Sequence, residues 1–566
     1  MECTSTPLPL AVGSSRPFRA PECASFVGIT TLECALRALQ GGYSSTALPL
    51  SSCASGLGGS SGRSPVHCDR AGWPVVHPPA GWSRTGIKFA VPSIRCFILL
   101  LVIPAAACGS NASRRGDTVL FASGADLQSI NPLLTVHSLA RQVQRHVFLT
   151  TLARYDSTLT PQPYLARAWE WSSDHRGLTF HLETAVRWHD GRPTTARDVA
   201  WTLNAALDPV TGYPRANELA GLESLTARDD STVVLRFRQP QPRFPDLLTD
   251  LAILPAHLLD TVPHARLRQS EWNTAPVGNG PFRFVSHEPN RRWVFAANPD
   301  FPAVLGGPPH LRRFIIVVVD EPTTKLAALT SGELDFAGIQ PAHAEFVRRD
   351  SSLAVLSFPL LQTDGIVFNT RRPPFDRLET RRAVSESIDR QELVEGYIYG
   401  FGTPALGPVL PTAPGYLPIA ASHSTKSLLR RGRVHFELLT VGSGEAPLEQ
   451  MLQARLRRAG FDVTIRQLEM SAFLGRVYGS TPDFDAAVLG ISGDPGLGYL
   501  GPLARLAGID APSSDPAATQ RMFADSMPVA FLYHSRGLQG MNRRVHGVTM
   551  DLRGELPTVH DWRVTQ

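Results

Sequence analysis

Segments typical of buried strands alternate along this chain with segments typical of helices, and this alternation most constrains how it can fold. RFIIVVVD (313–320) is apolar without a period of two, as expected of a strand that is covered on both faces. A helical pattern and a short strand follow it over 323–336. The same order recurs in VHFELLTV (434–441), a helical pattern over 447–461 and DVTIRQL (462–468). These strand–helix–strand units predict an α/β fold.

Other segments add strands and a helix to this pattern. TVLFAS (118–123) predicts a short strand, and the spacing of apolar residues over 133–152 predicts a helix. LTFHLE (178–183) and TVVLRFR (232–238) alternate apolar and polar residues, which predicts strands with one buried face. Sheet and helix therefore alternate from the start of the folded part.

The cysteines are confined to one end of the chain. All seven lie in the first 108 residues: Cys3, Cys23, Cys34, Cys53, Cys68, Cys96 and Cys108. The remainder therefore has no thiolate for a zinc site, an iron–sulfur cluster, a disulfide scaffold or a cysteine nucleophile. The formal net charge of +5 also lies mostly in those first residues, so we expect no nucleic-acid partner.

Sequence motifs of enzymes are missing from the chain. It has no G-x-x-x-x-G-K, G-x-G-x-x-G, H-E-x-x-H or G-x-S-x-G, and its few lysines do not complete an S-x-x-K. His189-Asp190-Gly191 could supply an acid–base pair, but Asp-Gly favours a turn. Histidines with metal-ligand spacing are also missing. We therefore expect no enzymatic activity, no metal site and no cofactor.

The first 108 residues have the features of an extension and a secretory signal. Residues 1–87 are rich in Ser, Gly and Pro, which predicts a disordered or mis-assigned N-terminal extension. Residues 88–108 hold Lys88, Arg95, the apolar run CFILLLVIPAAA (96–107) and Cys108. This order predicts a signal peptide. Ala105-Ala106-Ala107-Cys108 resembles a bacterial lipobox, which implies a lipidated Cys108 and attachment to a membrane through that lipid.

One long segment carries a resemblance to a known family. AWEWSSDHRGLTFHLETAVRWHDGRPTTARDVAWTLNAALDP (168–209) resembles the signature of the family 5 extracellular solute-binding proteins, the dipeptide, oligopeptide and nickel receptors of ABC importers. In that signature a turn with His-Asp-Gly precedes a helix that Thr-Ala-x-Asp-Val opens, as Thr195 to Val199 do here. The likeness continues through APVGNGPFRFV (275–285), VFNTRRPPFDRLETRRAVSESIDRQELV (367–394) and FDAAVLGISGDP (484–495).

The resemblance implies a two-lobed α/β fold, like that of periplasmic binding proteins, with an extra inserted domain. Lobe I would comprise 109–152, 272–345 and 528–566, the inserted domain 153–271, and lobe II 346–527. The lobes would close around a solute by a hinge. Two stretches, around 412–433 and 496–527, look shorter than the family normally carries.

The resemblance also implies ligand-binding residues. Asp494 lies in a segment like the one whose aspartate holds the solute's amine in peptide-binding relatives. Phe368 and Asn369 correspond to a strand end near the cleft, where a ring can cover the ligand and an amide can bond a peptide backbone. Arg371 and Arg372 could meet a carboxylate. Trp188 is expected in the core, and each of the others could also be an ordinary core, turn or surface residue.

The function implied is an extracytoplasmic receptor of an ABC importer. It would capture a small solute and deliver it to the permease subunits. The solute class that we expect is a short peptide. We expect a monomer in the cell envelope, outside the cytoplasmic membrane. The alternative is a non-transporting sensor or envelope chaperone derived from the same fold, which the short stretch after Asp494 keeps open.

Overall fold

The computed structural model describes residues 116–135, 137–419, 433–479, 481–508 and 516–565. The predicted extension, the signal segment and Cys108 lie outside these residues. The strands are β1 (Thr118–Ser123), β2 (Ala153–Tyr155), β3 (Pro161–Pro163), β4 (Ala166–Trp171), β5 (Gly177–Leu182), β6 (Leu222–Ala227), β7 (Thr232–Phe237), β8 (Phe282–Glu288), β9 (Arg292–Ala297), β10 (Arg313–Val318), β11 (Phe336–Gly338), β12 (Leu353–Phe368), β13 (Gly402–Pro404), β14 (Val434–Val441), β15 (Phe461–Leu468), β16 (Ala486–Ser492), β17 (Val529–Asn542), β18 (Val545–His546) and β19 (Arg563–Val564).

Helices alternate with these strands along the chain. The α-helices are α1 (Ser138–Val143), α2 (Ala196–Leu207), α3 (Ala256–Leu259), α4 (Pro322–Thr330), α5 (Ala344–Arg349), α6 (Leu378–Glu386), α7 (Arg390–Gly396), α8 (Pro447–Arg458), α9 (Met470–Tyr478), α10 (Leu500–Leu506) and α11 (Pro516–Ser526). Among the described residues, no helix is both long enough and apolar enough to span a bilayer.

The main sheet has two halves that share two long strands. Its order is β15-β14-β16-β12-β17-β11-β1-β10-β9-β8, with β13 paired to β17. On one side β1 pairs in parallel with β10 and β11, and on the other β14 pairs in parallel with β15 and β16. The α/β prediction is therefore confirmed, with each half built around its own strand–helix–strand unit.

The two halves are joined by the antiparallel pair β12 and β17. Leu353 to Pro359 pair with Asn542 to Arg536, and the ladder resumes at Thr363 opposite His534. Three residues of β12, 360–362, therefore lie opposite the single residue Ser535, which is a bulge between the two halves. Beyond the bulge, β12 pairs with β16 of the second half. The arrangement is that of two lobes linked by a paired-strand hinge.

A separate four-stranded sheet lies inside the predicted inserted domain. Its order is β4-β5-β7-β6. Leu178, Phe180 and Leu182 of β5 are buried, as the alternation of that segment predicts. Helix α2 follows the His-Asp-Gly turn, and the Thr195 amide donates to the Asp198 carboxylate at 2.7 Å, which stabilises the first turn. The exact domain boundaries stay a prediction.

The second half of the main sheet has a hydrophobic core on each face. Neighbouring residues of one strand face opposite cores: Leu438 packs in one and Leu439 in the other, and the same holds for Ala486 and Ala487. All four are fully buried, which explains the apolar character of β14 and β16. β10 differs, because Phe314 and Ile316 are fully buried on one face while Val317 on the other face is only half-buried.

The helix predicted over 133–152 is shorter in the structure. It comprises α1, opened by the His137 Nδ1 that accepts from the Ala140 amide at 3.3 Å, and a π-helical segment, Gln144–Phe148. The chain becomes extended at Leu149, and the next amide, that of Thr150, donates to Asn279 Oδ1 at 2.9 Å. A contact with a distant segment therefore ends the helix where local periodicity would continue it.

Candidate functional site

A cavity of ≈650 Å³ lies where several strands end. The residues that follow β1 and β16 line it, together with the end of β11 and the hinge bulge at 360–362. The remaining walls come from the segments around 154–164 and 246–250 and from the C-terminal segment around 552–561. Both lobes and the predicted inserted domain therefore contribute. The carboxyl ends of sheet strands are where α/β folds usually bind ligands.

Asp494 lies in this cavity, directly after β16. Its carboxylate accepts hydrogen bonds from the backbone amides of Gly498, at 3.1 Å, and Tyr499, at 3.3 Å. The residue is half-buried, and no described residue forms an ion pair with it. A carboxylate with two long bonds from neutral donors keeps capacity for a cation.

Asp246 approaches the Asp494 loop from the opposite wall. It accepts from the Tyr155 hydroxyl and lies 3.6 Å from the Arg243 guanidinium. Burial raises the pKa of Asp246, and the negative charge of Asp494 raises it further. Arg243 also donates to the Gly496 carbonyl, so the two walls touch here. A Cβ on Gly496 would lie 2.3 Å from Asp246 Oδ2, which explains a glycine at this position.

Asp250 is the centre of a cluster of arginines in the same cavity. Arg141 donates to it through Nε at 3.0 Å and Nη2 at 2.6 Å, and Arg145 and Arg215 also donate to it. Burial alone would raise the pKa of Asp250, but the charges of these arginines hold it far below its usual range. Arg145 donates as well to the Arg553 carbonyl at 2.6 Å, which ties the C-terminal segment to the cluster.

Arg154 is a cavity arginine of a different kind. Its guanidinium lies 5.1 Å from the centre of the Tyr164 ring, a cation–π contact. Within the described part of the chain, no acid forms an ion pair with it. Arg154 is therefore available to a carboxylate of a bound solute.

Three further polar side chains meet on the lobe I wall. Gln539 of β17 donates from Nε2 to Glu555 Oε1 at 2.8 Å. Burial raises the pKa of Glu555, and the Gln539 bond and the Lys325 charge offset part of that effect. Lys325 of α4 is half-buried, and burial lowers its pKa. All three line the cavity.

The structure brings only one of the predicted ligand-binding residues to the cavity. Phe368 is fully buried in a hydrophobic core, where its ring stacks on Phe375 with centroids 4.5 Å apart. Asn369 donates to the Phe484 carbonyl at 3.0 Å and accepts from the Arg371 amide, so its side chain stabilises a turn. The Arg371 side chain is exposed outside the cavity. None of these three residues lines the cavity that contains Asp494. Their roles in ligand binding stay predictions.

Two other sequence interpretations are visible in the structure. Gly191 has a φ of 91° and its amide donates to the Trp188 carbonyl, so His189-Asp190-Gly191 is a turn. Trp188 is 1% exposed, as expected of a core residue. In the part of the chain that the structure describes, His, Asp and Glu side chains form no group of three that could hold a metal ion.

Sequence reasoning missed the other charged residues of the cavity, among them Arg154, Asp246 and Lys325. Each lies in a different segment, and no spacing in the sequence links them. Only the fold brings them to one cavity.

The sequence model of "Bacterial extracellular solute-binding proteins, family 5 Middle" matches residues 160–505, more than half of the chain. The protein belongs to this family. This confirms the resemblance that the segment 168–209 carries.

Relatives within family 5 are named for peptide binding. A peptide-binding protein of an ABC transporter from Brucella ovis is 31% identical over 242 residues, and the match spans 43% of this chain and 45% of that protein. The chain thus spans about half the length of that relative. Di/tripeptide-binding protein 4 from Pseudomonas aeruginosa is 28% identical over 440 residues, with 70% of this chain and 80% of that protein covered.

Solved structures of similar fold include binding proteins in complex with peptides. The oligopeptide-binding protein AppA from Bacillus subtilis, in complex with a nonapeptide, has a TM-score of 0.65 at 20% identity, covering 80% of this chain and 99% of that one. The binding protein DppA from Helicobacter pylori, in complex with the peptide STSA, has a TM-score of 0.66 at 20% identity, covering 80% and 99%. These likenesses establish the two-lobed fold.

Proposed function

We propose that this family 5 protein is the extracytoplasmic receptor of an ABC importer and captures short peptides. The proposal rests on one observation: Asp494 and Arg154 line the same cavity between the two lobes. The carboxylate of the first and the guanidinium of the second form no ion pair with any described residue. A peptide carries the complementary charges at its two ends. The names of the relatives from Brucella and Pseudomonas support the same class of solute.

Binding would proceed by closure of the lobes about the strands β12 and β17. Closure excludes water, which strengthens every polar contact that the solute makes. The closed form would then be recognised by the permease subunits. The site needs only charges and hydrogen-bonding groups for this role, since no covalent step is involved.

The proposed location follows from the same role. A receptor that delivers solute to an importer works outside the cytoplasmic membrane. The proposal includes a monomer that is attached to the membrane through a lipidated Cys108.

The test uses the purified full-length chain, unfolded and refolded to remove bound solute. Dialanine and trialanine are titrated by calorimetry into the wild type and into Asp494→Asn and Arg154→Gln. Each variant loses a charge-assisted contact, so we expect affinity to fall about 10- to 100-fold. Asp462→Asn is the control, because this exposed acid of β15 lies outside the cavity. It should bind like the wild type.

N-acetylated peptides sharpen the assignment of Asp494. Acetylation removes the amine, so the wild type should bind the acetylated peptide as weakly as Asp494→Asn binds the free one. Asp494→Asn should lose little more on acetylation. Equal losses in both proteins would show that Asp494 does not bind the amine. If neither peptide binds a well-folded wild type, the receptor proposal is wrong and the sensor or chaperone alternative takes its place.

A further inference from the structure

The lobe I wall of the cavity contains a buried hydrogen-bond acceptor that has no partner among the residues that the structure describes. Gln539 is 4% exposed, and its Oε1 makes no hydrogen bond in the structure. Its orientation is fixed by Glu555, because the carboxylate can only accept and so requires the amide nitrogen. The oxygen must therefore point away from Glu555. Buried acceptors are nearly always bonded, so an unbonded one in a cavity wall calls for a donor.

The same cavity is lined by a donor that has no hydrogen-bond partner among the described residues, Lys325. Burial lowers its pKa, and the acids that raise it are Asp320, Glu321 and Glu555. Glu555 is the acid that Gln539 bonds. A Cβ on Gly124 would lie 3.1 Å from Lys325 Nζ, so the glycine at the end of β1 leaves room for the ammonium.

Lys325 and Glu555, which both line the cavity, are opposite in charge and close enough to shift each other's pKa. Asp320 and Glu321 also act on the charge of Lys325, but neither lines the cavity. A charged group placed between Lys325 and Glu555 would be attracted by one and repelled by the other. The wall therefore suits a neutral group that both accepts and donates a hydrogen bond.

We propose that Gln539 and Lys325 form a subsite for a secondary amide of the solute, with the amide N–H donating to Gln539 Oε1 and the amide carbonyl accepting from Lys325 Nζ. This inference rests on the proposed function, and adds an amide to the groups that the solute must carry. Glu555 is the positioning residue, since it holds the Gln539 amide in the orientation that offers the oxygen. A solute with two charged ends but no amide would leave both groups unpaired.

The experiment compares a peptide with its ester analogues. The probe is whichever of dialanine or trialanine binds the full-length wild type more tightly, together with analogues in which one amide N–H is replaced by an ester oxygen. Such an analogue keeps the carbonyl and both charged ends but cannot donate to Gln539. For the critical amide, we expect the wild type to bind the peptide about tenfold more tightly than the ester.

Two variants separate the halves of the subsite. Gln539→Met has a similar volume and no acceptor oxygen, so the ratio of peptide to ester affinity should fall to about one. Lys325→Met removes the donor to the carbonyl, which both ligands retain, so both should weaken by a similar factor while the ratio persists. Asp494→Asn should also weaken both ligands and preserve the ratio.

The outcomes distinguish this inference from the receptor proposal. If the peptide binds in an Asp494-dependent way, but no ester is discriminated or Gln539→Met keeps the discrimination with an unchanged melting temperature, the amide subsite is wrong and the receptor proposal stands. If the wild type binds neither peptide nor ester, both are overturned.

Discussion

Asp250 and Asp494 line the same cavity, but their surroundings are opposite. The Asp250 side chain is 10% exposed and receives hydrogen bonds from three arginines, whereas Asp494 accepts two long bonds from backbone amides. The first carboxylate has no capacity left for a solute. The second forms no ion pair with any residue that the structure describes. The comparison indicates that a charged residue in a cavity wall is a candidate ligand only when the protein leaves its charge unmatched.

The largest expected effect of breaking this contrast is on stability. Asp250→Asn leaves Arg141, Arg145 and Arg215 close together without their shared anion. Removing one partner of a buried ionic group typically costs about 3 to 5 kcal/mol. We expect a loss of that size in the free energy of unfolding, measured by urea denaturation at pH 7. Asp494→Asn is the matched control and should change stability by less than about 1 kcal/mol. Equal losses would remove the distinction between the two acids.

The pH dependence of stability should show the same contrast. The arginines hold the pKa of Asp250 far below the unfolded value of about 3.9, so the folded state favours the ionised form. Its stabilisation is fully present above that unfolded pKa and is lost as pH falls towards the folded pKa. Between pH 6 and pH 3, the wild type should therefore lose more stability than Asp250→Asn. Parallel curves from denaturation at each pH would contradict this account.

A third acid, Asp364 in β12, tests what burial does without a cation. It accepts from the Ser535 hydroxyl at 2.7 Å, and burial raises its pKa to about 6. Because the folded pKa exceeds the unfolded one, ionisation costs stability as pH rises from about 4 through 6. Asp364→Asn should therefore gain about 1 to 2 kcal/mol at pH 8. The gain should vanish at pH 4, and one that persisted there would have another cause.

The smallest expected effect concerns the contact between the walls at Gly496. A methyl group there would meet Asp246 Oδ2, so Gly496→Ala should hold the Asp494 loop away from the opposite wall. We expect a three- to tenfold loss of affinity for the tighter-binding alanine peptide with an unchanged melting temperature. Gly498→Ala is the control, because its Cβ would meet only Asp494 oxygens, at 3.7 and 3.8 Å. If Gly498→Ala loses more affinity than Gly496→Ala, the contact between residue 496 and Asp246 is not what limits binding.

The sequence predicts the elements of this fold better than it predicts the site. Strands β1, β14 and β15 follow the predicted bounds within a residue, because their periodicity reflects burial on the faces of a sheet. The helix over 133–152 is overestimated, because the bond from Thr150 to Asn279 depends on a segment far along the chain. Local pattern carries no information about such contacts.

The site depends on contacts of this second kind. Asp494 is placed by the family resemblance, since its loop directly follows a strand with a recognisable pattern. Arg154, Lys325 and Gln539 come from a short edge strand, a helix and a hinge strand, and only the fold brings them together. Phe368 and Asn369 lie in the strand end that the resemblance indicates, but their side chains point into a core and a turn.

The paired strands β12 and β17 also determine how the lobes can move. Two strands bonded side by side form a ribbon, which bends across its thin direction far more easily than within its plane. Bending in that direction would change the distance between points on opposite lobes that lie far from the ribbon. If the proposed closure takes place, a pair of fluorescent labels on exposed positions of β9 and β15 would convert it into an optical signal, without any change to the cavity.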